Sequence, residues 1–428
     1  MCLIQHLVRI KGRMRDDTQE PNVAAAGPRR PPLRRRRMTA EGPTTRSKGA
    51  GQRVAPARRG VRAGSTPRHA AEKVFFPAAA IHGSLVVPVS VDGMLTGSVL
   101  VPGLATVTGH AHELLFGFAL AVVAGFLTGK TTALRLVGLF ALWLAARASF
   151  LLLPGSVVSL VANSAFAACL VLLVAPRLLR GAKKLRNRAL APLLIALAVV
   201  LTLFHLAAAT GAVGLRYLAL QEGVVLLATL LLFMGGRIIA PAAAGAIQRA
   251  GGHLEARVQP RLEGTLLILM GALAVSVMVP GARALSGLLA FTAAAVALAR
   301  LLRWRLWSCH GRPDLWCLGI GYAWLVVGLA LLGSAWLLQL LPTGAGTHAI
   351  TVGALGTLAS TVMARIRLVR NRLDPSRLYS VPVMTILVAA AALTRLLAPG
   401  DQALMVASVL WSMACAVLFM VLIRIASH

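Results

Sequence analysis

Apolar runs of about 20 residues recur along the chain, near 74–91, 110–129, 132–153, 156–175, 189–209, 217–236, 264–280, 284–301, 315–338, 347–365, 379–398 and 403–424. Each is long enough to cross the ~30 Å hydrocarbon layer of a bilayer as a helix. The runs are continuous and do not alternate residue by residue, which excludes a transmembrane β-barrel. Pro and Gly punctuate the gaps, as in Pro154-Gly155, Pro342-Thr343-Gly344 and Pro399-Gly400, where the chain can turn at an interface. The pattern predicts an all-α polytopic transmembrane helix bundle of about twelve spans.

Cations between the runs orient the bundle, because Lys and Arg accumulate in short cytoplasmic loops. They follow span 4 (Arg177, Arg180, Lys183, Lys184, Arg186, Arg188), span 6 (Arg237, Arg249, Arg257, Arg261), span 8 (Arg300, Arg303, Arg305, Arg312) and span 10 (Arg365, Arg367, Arg370, Arg372, Arg377). The intervening connections carry few, chiefly Arg216, Arg283 and Arg395. Both termini are therefore expected in the cytoplasm.

Composition agrees with a chain whose solvent is the lipid bilayer: 57% of residues are hydrophobic and 13% charged. The net charge of +31 adds a second feature, since residues 1–73 are rich in Arg and Pro, include Arg34-Arg35-Arg36-Arg37, and hold too little apolar surface to form a core. The expected organisation is a disordered basic tail over 1–73 and a twelve-helix domain over 74–428. A polybasic tail is drawn to anionic lipid headgroups. It is also the kind of segment that forms a nucleic-acid-binding arm, but no nucleic-acid partner is expected here. The simpler reading is a solvated extension, or residues upstream of the true start, for which Met38 is one candidate.

With spans and orientation set, the polar residues inside the apolar runs acquire a depth. His110 and His112 open span 2 from the expected outer face, His205 lies in the last turns of span 5, and His348 opens span 10. Glu113 and Glu222 fall at the same level. Ionisable groups are costly there and usually face the bundle interior, so the four histidines are expected to gather as one cluster. Imidazoles in such a place can ligate haem iron or copper, relay protons, or hydrogen-bond a carbonyl. His110 and His112, two residues apart, point roughly 200° apart on a helix and could share a ligand only where the segment is not helical. Thr108-Gly109 is a plausible cap for that helix. Glu113 can take a proton from the His110 ring or cap the first turn.

Other motifs are weaker. Cys2, Cys169, Cys309, Cys317 and Cys415 form no CxxC or CxxCH pattern, which excludes a zinc ribbon and covalent haem attachment. No catalytic triad, carboxylate pair or phosphate loop is evident. Gly117, Gly125, Gly353 and Gly356 suit close helix packing or the approach of a flat macrocycle. Gly235-Gly236-Arg237 and Met363-Ala364-Arg365 end spans 6 and 10, where arginines snorkel to headgroups, bond helix carbonyls, or meet an anion such as a haem propionate.

Taken in order, His110-Ala111-His112-Glu113-Leu114-Leu115-Phe116-Gly117, Phe204-His205-Leu206, Gly235-Gly236-Arg237-Ile238-Ile239, Gly321-Tyr322-Ala323-Trp324 and His348-Ala349-Ile350-Thr351-Val352-Gly353-Ala354 resemble the NnrS family of bacterial membrane proteins. The resemblance implies a multi-pass protein of the bacterial inner membrane that carries haem and copper and is linked to nitric oxide and nitrosative-stress tolerance. By position, His110, His112, His205 and His348 match the family's histidines and Arg237 and Arg365 its arginines, with Glu113, Glu222 and Tyr322 as supporting polar groups. The chain departs from the family pattern at Gly109, where Trp is usual, at Gly319, often His, and at Arg370, where a Gly-His-Thr-Gly stretch normally follows. An inner-side metal site is therefore expected to be missing.

The leading reading is thus a haem-binding membrane protein, with copper as a second candidate metal, that handles or senses nitric oxide or a related small nitrogen species. The rivals are a proton-coupled secondary transporter with a His/Glu relay, for which twelve helices are a common plan, and a non-catalytic accessory protein.

Overall fold

The computed structural model describes residues 67–180, 188–254 and 259–425. Most of the basic tail, with Lys183, Lys184, Arg186, Arg257 and His428, lies outside the described residues. The domain from Arg68 onward contains twelve helices long and apolar enough to cross a membrane. They are α1 (Glu72–Thr96), α2 (Val107–Thr128), α3 (Ala133–Leu152), α4 (Val157–Arg180), α5 (Leu190–Ala209), α6 (Val213–Arg249), α7 (Pro260–Val277), α8 (Arg283–Ser308), α9 (Pro313–Leu338), α10 (Thr343–Arg370), α11 (Ser380–Leu397) and α12 (Asp401–Arg424). The chain is a multi-pass membrane protein of the predicted helical class. Two short antiparallel strands, β1 (Arg68–Ala70) and β2 (Lys130–Thr132), tie the start of α1 to the α2–α3 connection.

Consecutive helices pack as neighbours, as short connections require, and α12 returns to pack along α1. Burial separates an inner set from an outer one. The most apolar windows of α2, α6 and α10 are 72%, 78% and 78% buried, against 28% to 56% for the other nine. The outer helices present Leu85, Leu134, Leu172, Ile268 and Ile386 outward, as lipid contact demands. Around the inner helices Phe75, Phe76, Phe116, Phe118, Phe204, Trp304 and Tyr322 are fully buried.

Two boundaries differ from the sequence reading. Span 6 does not end at Gly235-Gly236 but continues through Pro241 to Arg249, a helix of 37 residues. The two glycines are packing positions inside it: Tyr322 lies against Gly235 and the Arg300 guanidinium against Gly236. At ~1.5 Å per residue the helix is roughly 55 Å long, more than the ~30 Å of a bilayer core. Span 10 likewise runs past Arg365 to Arg370.

Candidate functional site

Both inner helices that carry histidines change their winding immediately after them. α2 is α-helical over Val107–His112 and then widens to a π-helix over Glu113–Ala119; α10 is α-helical over Thr343–His348 and π-helical over Ala349–Gly356. Such segments are rare and concentrate at functional sites, because the wider turn re-aims side chains. The cap of α2 is Thr106, whose hydroxyl accepts from Gly109 N at 3.1 Å, so the expected Thr108-Gly109 cap lies two residues too late. His110 and His112 therefore both lie within regular helix and point to different sides.

On one side His112 reaches α5. Its Nδ1 donates to Glu113 Oε1 (3.2 Å), which leaves Nε2 to accept from His205 Nε2 at 3.0 Å. Glu113 Oε1 also receives Arg147 Nη1 at 2.5 Å, and Arg147 Nη2 bonds Asn163 Oδ1. His82 Nε2 approaches Glu113 Oε2 to 2.9 Å without the alignment of a full hydrogen bond. Asn163 is fixed in turn by the carbonyls of Ala146 and Ser159. Every member of this group is buried, and Phe150 and Phe204 stack beside the His112 ring at 3.7 and 4.8 Å. One carboxylate and one guanidinium balance in charge, which is how an apolar interior tolerates them.

On the other side His110 and His348 line one crevice between α1, α2, α10, α11 and α12, walled by Leu114, Phe118, Leu355 and Trp411. Their hydrogen bonds fix both tautomers. Ser90 Oγ donates to Val87 O (2.8 Å), so its lone pair accepts His110 Nδ1–H at 2.6 Å. His348 Nδ1–H donates to Gly344 O at 2.7 Å. Each ring therefore carries its proton on Nδ1 and an unshared pair on Nε2, and neither Nε2 has a partner among the described residues.

The four histidines thus form two pairs, His112 with His205 and His110 with His348, rather than one cluster. The helix between His110 and His112 is the reason, since it sends the two rings apart. Glu113 does not serve His110; it is held by His112, His82 and Arg147.

The NnrS protein family model matches residues 70–427. The chain belongs to the NnrS family. No curated protein matches it. The NnrS segments named from the sequence do not all converge. Arg237 and Arg365 lie in the halves of α6 and α10 remote from the histidines and are engaged by acids: Arg237 pairs with Glu263 at 3.1 Å and sits over Phe233, while Arg365 pairs with Asp314, itself held by Arg312 at 2.9 and 3.0 Å. Tyr322 packs edge-on against Trp304 near Arg300 and Gly235, away from both histidine pairs. Arg300, counted from sequence among loop cations, is buried within α8 and donates to Leu232 O. Glu222 is buried in α6 and joins neither pair; its Oε2 has no partner among the described residues. At the positions where this NnrS chain departs from its family, Gly319 is filled by Leu306 and Arg370 pairs with the buried Glu72. Among the described residues no three His, Cys, Asp or Glu side chains group as a metal site.

His82, Arg147 and Asn163 were missed from sequence, although Arg147 had a legible signal, a cation inside the apolar stretch Leu144 to Phe150. Gly117 belongs to the same group. A Cβ there would stand 2.6 Å from His82 Nε2, 2.9 Å from Arg147 Nη1 and 3.0 Å from Glu113 Oε2. Replacing Gly117 with alanine is expected to destabilise the protein by ~1–3 kcal/mol, the range of overpacked interiors, measured as thermal unfolding in detergent. An unchanged midpoint would show that the group yields freely. Gly353 and Gly356, by contrast, face Trp324 and Trp411, so their role is helix packing.

Proposed function

We propose that this NnrS family member is a haem-binding inner-membrane protein of the nitric oxide or nitrosative-stress response, with haem iron held by Nε2 of His110 and His348. The observation that carries the reading is the pair of Nδ1 hydrogen bonds, to Ser90 and to the Gly344 carbonyl. Iron-ligating histidines characteristically donate their second ring N–H to such acceptors, which fixes the ring and frees the other nitrogen. The crevice beside these two rings is small, about 50 Å³, well below the ~300–1,000 Å³ of small-molecule sites. Leu114, Phe118, Leu355 and Trp411 stand too close together to admit a planar macrocycle as they are placed. The donor set fits haem; the space between the walls does not. When bound, the iron would supply the coordination chemistry for nitric oxide, for which one of the two imidazoles would have to give up its place, while the chain's residues hold, orient and desolvate the group.

Copper, the second metal of the reading, has its best donors at His112 and His205. Their Nε2 atoms are 3.0 Å apart, close to the ~2.9 Å that separates two ligands at a right angle with metal–nitrogen bonds of ~2.0–2.1 Å. The Glu113 carboxylate behind His112 is the customary support for a ligating imidazole. Two nitrogens fall short of a closed site, so an exogenous ligand would have to complete it.

A proton-coupled carrier would instead use the chain His205, His112, Glu113 and His82. Arg147 opposes this, because a carboxylate clamped by a guanidinium that is itself anchored by Asn163 has little freedom to alternate between partners.

The test is optical. The purified protein supplied with haem is expected to develop a Soret band that shifts on addition of nitric oxide. A spectrum no different from haem in empty detergent micelles would overturn the reading.

A further inference from the structure

Among the described residues the buried acids are Glu72, Glu113, Glu222, Glu263 and Asp314. All but one have a guanidinium: Glu72 pairs with Arg370, Glu113 with Arg147, Glu263 with Arg237, and Asp314 with Arg312 and Arg365. Glu222 is the exception. Its Oε2 is buried without a partner, and no ion pair reaches the side chain among the described residues. From Val213, where α6 begins, Glu222 lies ~14 Å along the helix axis at ~1.5 Å per residue. A glutamate side chain is too short to cover that distance, so it cannot reach the headgroups as a lysine or arginine does. Leu220, Val224, Val225 and Leu226 around it are buried, and Leu115 and Phe116 of α2 press against the adjacent Gly223.

The helices packed on α6 supply no counter-charge. α2 and α5 bring His112, Glu113 and His205, which bond one another, and His348 of α10 bonds Gly344 O. Glu263 of α7, Arg300 of α8 and Tyr322 of α9 meet α6 at Gly235 to Arg237, ~20 Å further along the axis. None of these groups acts on Glu222. Arg216 also has an unpartnered buried nitrogen, but it stands ~120° around α6 from Glu222, and no ion pair joins them. A carboxylate without a counter-charge is very costly in such surroundings, whereas a carboxylic acid buries only a neutral polar group.

We infer that Glu222 is a proton-binding site of the bundle, which takes up a proton to become a neutral carboxylic acid and in that form is open to apolar carboxyl reagents. Acids placed in this way inside a membrane bundle are groups through which protons enter it. The site is separate from both histidine pairs and stands whether or not haem binds.

The rival account is an ionised, hydrated Glu222. Infrared spectra of the full-length protein in detergent, without haem, separate the two at about pH 6, where an ordinary glutamate (~4.3) is ionised. The wild type should show the carbonyl band of a carboxylic acid. Glu222→Gln should lose that band and fold like the wild type, since it replaces a neutral acid with a neutral isostere, and Glu222→Asp should keep a shifted band. Identical spectra of wild type and Glu222→Gln in this region would overturn the inference. Dicyclohexylcarbodiimide gives a second reading that needs no variant. The acid's proton moves to one nitrogen of the reagent as a carboxyl oxygen bonds its central carbon, and the adduct rearranges to a stable N-acylurea with no leaving group. Peptide mapping by mass spectrometry should find Glu222 modified, the arginine-paired acids unmodified, and the labelling lost at alkaline pH. If Glu222→Gln does not fold, this map decides, and absence of Glu222 from the modified residues sinks the proposal.

Discussion

Replacing Arg147 with leucine is expected to cost the folded protein ~3–5 kcal/mol, the range found when one partner of a buried ion pair is removed. The reason lies in what remains. Glu113 is wholly buried, and its nearest counter-charge is the Arg147 guanidinium, 2.5 Å away. Without it the carboxylate is left with only the imidazoles of His112 and His82 beside it, and Asn163 loses a donor as well. The pair itself is a poor source of stability, because two charges must be stripped of water to form it. A double variant, Arg147→Leu with Glu113→Gln, should therefore recover much of the loss. Thermal unfolding of the three proteins in one detergent measures this cycle. A single-variant loss within the ~0.5 kcal/mol typical of surface changes would contradict it.

The second large effect concerns ligation. His110→Ala and His348→Ala should each abolish stable haem retention through purification, because each removes a nitrogen donor that no neighbour can replace: the remaining crevice lining is apolar apart from Arg395, Thr351 and Ser408. Ser90→Ala should act more gently. It removes the acceptor that holds the His110 proton on Nδ1, a supporting contact of the kind worth ~10–100-fold in metal affinity. Haem titrations followed at the Soret band read all three. A Ser90 variant that binds as tightly as the wild type would mean that the packing of His110, rather than its hydrogen bond, sets the ring.

The bundle itself was legible because a transmembrane helix must satisfy its own backbone and hide it behind about 20 apolar side chains. That requirement makes the twelve spans readable from the apolar runs, while span ends shifted where packing decides them. The long continuation of α6 was hidden because Gly235, Gly236 and Pro241 read as a helix end, whereas in the fold the glycines accommodate Tyr322 and Arg300. The candidate site was legible in part. His110, His112, His205 and His348 could be placed at one level, since depth follows from position in a span. Their division into pairs could not, because it depends on which helices pass α2 on either side. The helical phase between His110 and His112 did forecast that they would separate. Glu113 was recognised but assigned to the wrong partner, and Arg395 was read only as a loop cation, because nothing in one dimension shows that α11 turns its last arginine toward α2 and α10.

Whether His110 and His348 form the iron-binding pair can be read from electron paramagnetic resonance of the haem-loaded ferric protein and its four single His→Ala variants. A low-spin ferric signal is expected in the wild type, as two imidazole donors would give. That signal should persist when His112 or His205 is replaced and disappear when His110 or His348 is replaced. Loss of the signal on replacing His112 or His205, with the His110 and His348 variants unchanged, would move the iron to the other side of α2 and contradict the account.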